Sequence, residues 1–280
     1  MMDAFKTSII FLYLIRNIRK WYRKIKSNLN SIVKDKKAGV IVEKNTGTKK
    51  LSVARREVKY LISLQDRLLL LNALDKLLVP DAYGGYNGYT VRSVYFDSVM
   101  NEDYIDKKRH ADNKKRIRLR VYHPDDQKVK FELKRKSYGR ELKESIIISR
   151  KDAQALLKCH YDVLLNYDSD TARYAYDLMS SRLYRPVSLV EYDRRAYTHQ
   201  HFNTRITMDN NLRYCDFCYD LFSHHLNFKS ALEKDQTILE VKYDRYLFKQ
   251  IQNVLAQCDL SKRPPSKFGT SRQTLNEYYY

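Results

Sequence analysis

Charged and apolar residues alternate with a period of two in several short segments of this chain. The clearest segment, residues 116–121, alternates three arginines with isoleucine, leucine and valine. Successive side chains of a β-strand point to opposite faces, so this segment predicts a strand with one cationic face and one apolar face. The same pattern recurs in Glu57 and Lys59; in Glu132, Lys134 and Lys136; in Arg205, Thr207 and Asp209; and in Glu240, Lys242 and Asp244.

The charged faces restrict how these strands can be arranged. A single charged face is usually the solvated side of a sheet. Arg-x-Arg-x-Arg and Glu-x-Lys-x-Lys patterns on successive strands, however, place like charges beside one another, where they repel. Closing the sheet into a barrel accounts for the pattern, because helices then cover the outer apolar faces and the charged faces line a wet bore. We therefore predict an α+β fold with a β-barrel flanked by helices.

The overall charge indicates what such a bore would hold. The formal net charge is +20, which predicts an anionic partner such as nucleic acid, a phosphorylated small molecule or an acidic membrane surface. A bore of cations with a few carboxylates suits a linear polyanion together with a divalent metal, since each charge-assisted hydrogen bond to a phosphate contributes about 1.5–3 kcal/mol. Nucleic acid is not expected as a partner, because Glu57, Glu132 and Glu240 on the cationic faces would repel its backbone.

About half of the excess charge lies in an N-terminal segment. Residues 1–50 contain thirteen Lys and Arg against three acids. Within residues 5–33, apolar residues recur at steps of three and four with basic residues between them, which predicts a basic amphipathic helix. Such a helix suits either an anionic membrane surface or helix packing, on a partner or on the protein itself. We predict two parts: this helix and a linker over residues 1–50, and a folded tunnel domain over residues 51–280.

Cysteine usage and helix signals add two further expectations. Four cysteines in 280 residues do not indicate a disulfide framework, so a reducing cytoplasm is expected. If the N-terminal helix binds lipid, the protein lies at the cytoplasmic face of the membrane. Ser63 with Asp66, and Ser149 with Asp152, form capping boxes that predict the start of two helices.

Eight segments of the chain together resemble a known family. From Arg56 to about Lys267 the sequence is similar to the VTC domain, the polyphosphate polymerase module of the triphosphate tunnel metalloenzyme, or CYTH-like, superfamily. The segments are Arg56–Tyr60, Arg92–Asp97, Arg116–Tyr122, Phe131–Lys134, Tyr192–Tyr197, Arg205–Asp209, Leu239–Tyr243 and Ser266–Phe268. Each segment alone is a weak match. The resemblance rests on the order in which all eight occur along some 210 residues.

The resemblance implies a closed tunnel of eight antiparallel strands and a set of site residues. The implied phosphate-binding and catalytic residues are Lys59, Arg118, Arg120, Lys134, Arg194, Arg205, Lys242 and Lys267, with Lys143 as a further substrate-binding residue. Glu240 matches the position that holds a catalytic Mn²⁺ or Mg²⁺. Relatives elsewhere in the superfamily open with Glu-x-Glu-x-Lys. Here Arg55 replaces the first acid, as is typical of the VTC branch, and this makes metal binding at that strand and a hydrolase less expected.

The activity implied by the resemblance is that of an ATP-polyphosphate phosphotransferase. ATP would donate its terminal phosphate to a growing polyphosphate chain inside the tunnel, so ATP and polyphosphate are the expected partners and Mn²⁺ or Mg²⁺ the expected cofactor. Phosphoryl transfer needs positioning and charge neutralisation more than a covalent nucleophile, which suits Lys and Arg. Two alternatives remain open: hydrolysis of tripolyphosphate or a nucleoside triphosphate in the same tunnel, and a non-catalytic polyphosphate-binding module at a membrane.

Overall fold

One antiparallel sheet of ten strands organises the computed structural model, which describes residues 55–138, 140–199, 203–215 and 217–277. The strands are β1 Arg55–Ile62, β2 Val79–Pro80, β3 Tyr89–Asp97, β4 Lys114–Val121, β5 Lys128–Ser137, β6 Arg140–Ser149, β7 Arg185–His199, β8 Thr204–Cys215, β9 Lys229–Ser230 and β10 Thr237–Asp244. The helices are α1 Leu64–Leu77, α2 Glu102–Lys108, α3 Arg150–Leu157, α4 Asp170–Ser181, α5 Lys249–Leu255 and α6 Lys267–Glu277, with a 3₁₀ helix at Tyr161–Asn166.

Eight strands form the main path of the sheet, in the order β1-β10-β8-β7-β3-β4-β5-β6, while β2 pairs with β7 and β9 with β8. Within the described residues the two edge strands, β1 and β6, do not pair with each other, so the expected closed barrel is corrected to an open sheet. The edge strand β6 carries Arg140, Glu141, Lys143 and Glu144, and charged side chains on an edge strand oppose further pairing. The sheet is nevertheless curved, because side chains of β1 and of β6 line the same cavity.

The apolar faces of the strands point outward and are covered by helices, as the alternation predicts. One cluster joins β3, β4 and β5 to α3 and α4, and includes the buried side chains of Leu119, Phe131, Leu156 and Met179. A second cluster joins β8 and β10 to α1 and α5, and includes Ile206, Leu239, Leu74 and Ile251. Burial of each such side chain contributes roughly 1.5–3 kcal/mol, so these clusters fix the outer shell around the charged inner face.

A third apolar cluster lies inside the curved sheet, where the sequence pattern predicts a charged bore. It contains Tyr95 of β3, Tyr192 of β7, Ile238 of β10 and Phe268 of α6. The rings of Tyr95 and Phe268 lie with their centroids 5.2 Å apart. The C-terminal helix therefore fills part of the interior, and the polar space is smaller than an empty eight-stranded bore.

Both predicted capping boxes are present at the start of their helices. The Ser63 hydroxyl accepts a hydrogen bond from the backbone N–H of Asp66 at 3.1 Å, and the Ser149 hydroxyl accepts one from the backbone N–H of Asp152 at 3.0 Å. Each satisfies a donor that the first turn of a helix leaves without a partner.

The predicted N-terminal helix over residues 5–33 and the linker up to residue 50 lie outside the described residues, so both stay predictions. The described residues belong to one compact unit, Val53–Tyr280. None of its described helices is long and apolar enough to cross a membrane.

Candidate functional site

A cavity of about 460 Å³ lies on the inner face of the curved sheet. It is lined by side chains of β1, β3, β4, β5, β6, β7 and β10, by Lys107 of α2, and by residues 264–267 at the start of α6. Ten Lys and Arg residues and four Glu residues line it, giving the wall a strong net positive charge. Such a surface attracts and concentrates anions.

Most of the residues implied by the resemblance meet in this cavity, although they come from distant parts of the sequence. The cavity is lined by Lys59, Arg118, Arg120, Lys134, Lys143, Arg194, Lys242, Lys267 and Glu240. Strand alternation explains this convergence, because alternate positions of a strand share its inner face.

Two lysines and two glutamates form one ionic cluster where β1 pairs with β10. Glu57 lies opposite Lys242 and Lys59 opposite Glu240 in the register of this pair. The Lys242 ammonium is 2.5 Å from Glu240 Oε1 and 3.3 Å from Glu57 Oε2. The Lys59 ammonium is 2.9 Å from Glu57 Oε1 and 3.6 Å from Glu240 Oε2. Each lysine therefore contacts both carboxylates.

Ion pairing controls the protonation of this cluster. Burial alone would raise the pKa of Glu57, but attraction to Lys59 and Lys242 lowers it to about 2. Burial lowers the pKa of Lys59, and the charges of Glu240 and Glu57 outweigh that effect and raise it. Both groups are consequently charged near neutral pH, as direct phosphate or metal contacts require.

A second cluster surrounds the buried Glu132 on β5. Glu132 Oε2 accepts from the Arg118 Nε at 2.5 Å and lies 3.5 Å from the Arg120 Nε. Glu132 Oε1 lies 2.6 Å from the Lys143 ammonium. Burial opposes the charge of Glu132, yet Arg118 and Arg120 hold its pKa well below the usual range. One carboxylate on β5 thus fixes three cations on the two flanking strands, β4 and β6.

A third cluster ties the C-terminal helix to the sheet. Asp209 of β8 is fully buried and accepts two hydrogen bonds from the Arg194 guanidinium, at 2.6 and 2.8 Å. The Lys267 ammonium lies 2.7 Å from Asp209 Oδ2. Burial raises the pKa of Asp209, but Arg194 and Lys267 hold it well below its ordinary value. This arrangement places Arg194 and Lys267 side by side on the cavity wall.

Arg205 is the one implied phosphate-binding residue that is not among the residues lining the cavity. Its Nη2 donates to Asp81 Oδ2 at 2.9 Å and to the Tyr89 hydroxyl at 3.3 Å. Asp81 is itself buried. The guanidinium is therefore held beside the Gly-rich turn after β2, and the structure does not bring it into the set of Lys and Arg around the cavity.

Several lining residues were not among the predicted site residues, including two from charged strand faces and two from elsewhere. Glu57 and Arg116 lie on charged strand faces that the alternation does identify, whereas Tyr95 and Lys107 carry no periodic signal. The Tyr95 hydroxyl accepts from Arg118 Nη1 at 3.1 Å. Burial raises the pKa of Tyr95, but the charges of Arg118, Arg116 and Arg120 outweigh it and lower the pKa to about 8.

The sequence indicated Glu240 alone as a metal ligand, but Glu57 shares its two lysine partners, so the carboxylates of both residues are candidate ligands for a divalent metal. No group of three or more His, Cys, Asp or Glu residues suited to a metal occurs in the part of the chain that the structure describes. Mg²⁺ is commonly held by one or two carboxylates together with substrate phosphate oxygens and water. These two glutamates, which share the same lysines, fit a metal whose remaining ligands come from the substrate.

A curved antiparallel sheet thus surrounds a cavity lined by Lys, Arg and Glu. The family model of the VTC domain matches residues 54–276. The chain belongs to the VTC domain family.

Solved structures with a similar fold share little sequence identity with this chain. The Hippeastrum protein HpAC1, described as revealing a dominant triphosphatase activity, has a TM-score of 0.50 and 14% identity, and the match covers 79% of this chain and 96% of that protein. A candidate adenylate cyclase from Bacillus halodurans has a TM-score of 0.46 and 15% identity, with 75% of this chain and 92% of that protein covered. No curated protein sequence matches the chain.

Proposed function

We propose that this protein is a polyphosphate polymerase, which transfers the terminal phosphate of ATP onto a growing polyphosphate chain in the cavity with the aid of Mn²⁺ or Mg²⁺. Membership of the VTC family supports an activity on polyphosphate or triphosphate. The ten Lys and Arg side chains around about 460 Å³ support a substrate with several linked phosphates. Arginine guanidinium groups and lysine ammonium groups bind phosphate oxygens through charge-assisted hydrogen bonds.

The state of the carboxylates in the cavity is the observation that favours transfer over hydrolysis. Glu57 and Glu240 contact the two lysines of their cluster, and Glu132 contacts Lys143 and two arginines. The pKa of Glu57 is lowered to about 2 and that of Glu132 is also lowered, so both are weak bases. Hydrolysis gains from a group that positions and deprotonates water. The terminal phosphate of an acceptor chain is already anionic and needs no such base.

The cavity residues perform the transfer by positioning and charge neutralisation. A terminal oxygen of the acceptor chain forms a bond to the γ-phosphorus, and the bond between that phosphorus and the β,γ-bridging oxygen breaks, leaving ADP with the electron pair. Arg118, Arg120 and Arg194 orient the phosphates, and Lys59 and Lys242 balance charge that develops on the transferred group. A divalent metal held by Glu240 and Glu57 would add further neutralisation of the phosphate oxygens.

Product analysis tests this proposal directly. Purified full-length protein is incubated with ATP and Mn²⁺ or Mg²⁺, and the products are separated on a gel stained for polyphosphate. We expect chains that lengthen with time, together with ADP. Lys59→Ala and Glu240→Gln should each lower chain formation by roughly 100-fold, since removing one preorganised group that stabilises charge developing in a transition state costs about 2.7–4 kcal/mol.

Lys151→Gln is the matched control, because Lys151 is exposed on α3 outside the cavity. It removes the same unit of charge and should leave the activity unchanged. Orthophosphate without chains would assign hydrolysis instead. Binding of polyphosphate without turnover under any metal would assign a non-catalytic module. Full activity of both cavity variants would remove the site assignment.

A further inference from the structure

Two cations of the cavity, Arg116 and Lys107, form no ion pair with any described residue. The other eight each have a carboxylate within 3.6 Å. Glu57 and Glu240 pair with Lys59 and Lys242; Glu132 with Arg118, Arg120 and Lys143; Glu141 with Lys134; and Asp209 with Arg194 and Lys267. The eight paired cations thus share five carboxylates, whereas Arg116 and Lys107 have no direct carboxylate contact among the described residues.

Arg116 lies at the end of a row of cations on the inner face. It is the register partner of Lys134 on β5, which in turn pairs with Lys143 on β6. Its Nε is buried and makes no hydrogen bond to the described residues, while its Cζ lies 5.5 Å from the centre of the Phe268 ring. Burial lowers the pKa of Arg116, and attraction to Tyr95, Asp103 and Glu141 offsets that effect only in part.

Lys107 approaches the same part of the cavity from helix α2. A Cβ atom at Gly269 of α6 would lie 3.2 Å from the Lys107 ammonium, so the missing side chain at Gly269 leaves room for it. Burial lowers the pKa of Lys107, and repulsion from Arg116 lowers it further. The two cations therefore repel each other. An anion bound between them would offset both this repulsion and the free-energy cost of burying their charges.

We propose that Arg116 and Lys107 form a phosphate subsite for the acceptor polyphosphate chain, apart from the residues that bind the nucleotide with its metal. This assignment rests on the proposed function, since it distinguishes acceptor from donor. The donor requires carboxylates for its metal, and these lie at Glu57 and Glu240. A phosphate without a bound metal binds best to cations that are not already paired with carboxylates. Among the described cavity residues, these cations are Arg116 and Lys107.

Binding measurements without turnover test the subsite separately from polymerase activity. Isothermal titration compares a polyphosphate of uniform chain length with Mg²⁺-ATP, using full-length protein. Arg116→Gln and Lys107→Gln should each weaken polyphosphate binding about tenfold, the value of one charge-assisted contact, and change ATP binding less than about twofold. Lys108→Gln is the matched control. Lys108 follows Lys107 on the same helix but is exposed and does not line the cavity.

Each outcome decides the assignment. Equal weakening of polyphosphate and ATP binding would overturn the acceptor role, and unchanged polyphosphate binding in both variants would overturn the subsite. Arg116→Lys keeps the charge and should keep most of the affinity; if Arg116→Gln fails to fold, Lys107→Gln decides alone. If wild-type protein binds polyphosphate but makes none from ATP, the proposed function fails and the subsite is still judged by these affinities.

Discussion

Arg194 and Asp209 form a two-point ion pair between neighbouring strands, with Nε to Oδ1 at 2.6 Å and Nη2 to Oδ2 at 2.8 Å. The same carboxylate contacts Lys267 at the start of α6. Asp209 therefore joins three separate parts of the chain at the wall of the cavity. It positions two cations that we assign to substrate binding and stabilises the packing of the C-terminal helix.

Asp209→Asn should destabilise the protein by about 3–5 kcal/mol at pH 7, because it removes a fully buried carboxylate and leaves two half-buried cations without their counterion. Asp209 has a lowered pKa in the folded state, so its contribution is complete above the pKa of the unfolded chain and is lost as the pH falls through the folded value. Urea unfolding at pH 7 measures the effect, with Asp235→Asn, an exposed aspartate, as control. A loss below about 1 kcal/mol would contradict this role.

Arg205→Gln should affect stability more than substrate binding, although the family resemblance implies a phosphate contact for this residue. Its guanidinium contacts the buried Asp81 and Tyr89, and Asp81 would lose its cationic partner. We expect ATP and polyphosphate affinities within about twofold of wild type and a stability loss of about 1–3 kcal/mol. Arg120→Gln serves as comparison and should weaken binding about tenfold. A comparable loss of binding in Arg205→Gln would show that Arg205 contacts the substrate after all.

Tyr95 should make polyphosphate binding sensitive to pH near 8. Burial opposes ionisation of its phenol, but three nearby arginines lower its pKa to about 8, and the hydroxyl contacts Arg118 at 3.1 Å. Below pH 8 the phenol is neutral; above it the phenolate offsets the charge of Arg118. Affinity for polyphosphate should fall about fivefold between pH 7 and 9, an electrostatic effect of about 1 kcal/mol. Tyr95→Phe should remove this fall, and an unchanged pH profile in that variant would refute the assignment.

Asp103→Asn should stabilise the protein at pH 8 and leave stability nearly unchanged at pH 4. Burial and the neighbouring Asp97 raise the pKa of Asp103 to about 6, above the ordinary value of about 3.9. The folded state therefore keeps this proton longer than the unfolded state, and stability decreases as the pH rises from 4 through 6. The asparagine oxygen can still accept from the Tyr184 hydroxyl, which lies 3.1 Å from Asp103.

The expected gain at pH 8 is about 2 kcal/mol, reduced from the full shift because the ion pair of Asp103 with Lys115 at 3.6 Å is also lost. Thermal or urea unfolding of both proteins across this pH range measures it. A variant that is less stable than wild type at pH 8 would show that the Lys115 pair dominates.

The faces of the strands were the most predictable part of the fold. The alternation of charged and apolar residues along a strand assigns each side chain to a face, and this needs no knowledge of which residues it contacts elsewhere in the fold. Arg118 faces the cavity and Leu119 the helices for this reason alone. Closure was not predictable in the same way, because alternation does not state which edge strands pair. The separation of β1 from β6 depends on pairing across the whole sheet.

Partners distant in sequence account for what was missed in the candidate site. Arg205 and Asp81 are 124 positions apart, and no local pattern indicates that this arginine is already paired. Lys107 is one of two adjacent lysines in a short helix, and only the packing of α2 against α6 brings it to the cavity. The alternation identified Arg116 as a residue of the charged face. Its lack of a counterion can be recognised only from the three-dimensional structure, which shows the ion pairs of the other cavity residues.

The destination of the γ-phosphate of ATP tests the central claim most directly. Full-length protein is incubated with ATP labelled in its γ-phosphate, Mn²⁺ or Mg²⁺, and a short polyphosphate acceptor, and the label is divided between chains and orthophosphate. We predict that most of the released label enters polyphosphate chains, in amounts equal to the ADP formed. Label recovered as orthophosphate, with no growth of the acceptor, would contradict the polymerase assignment.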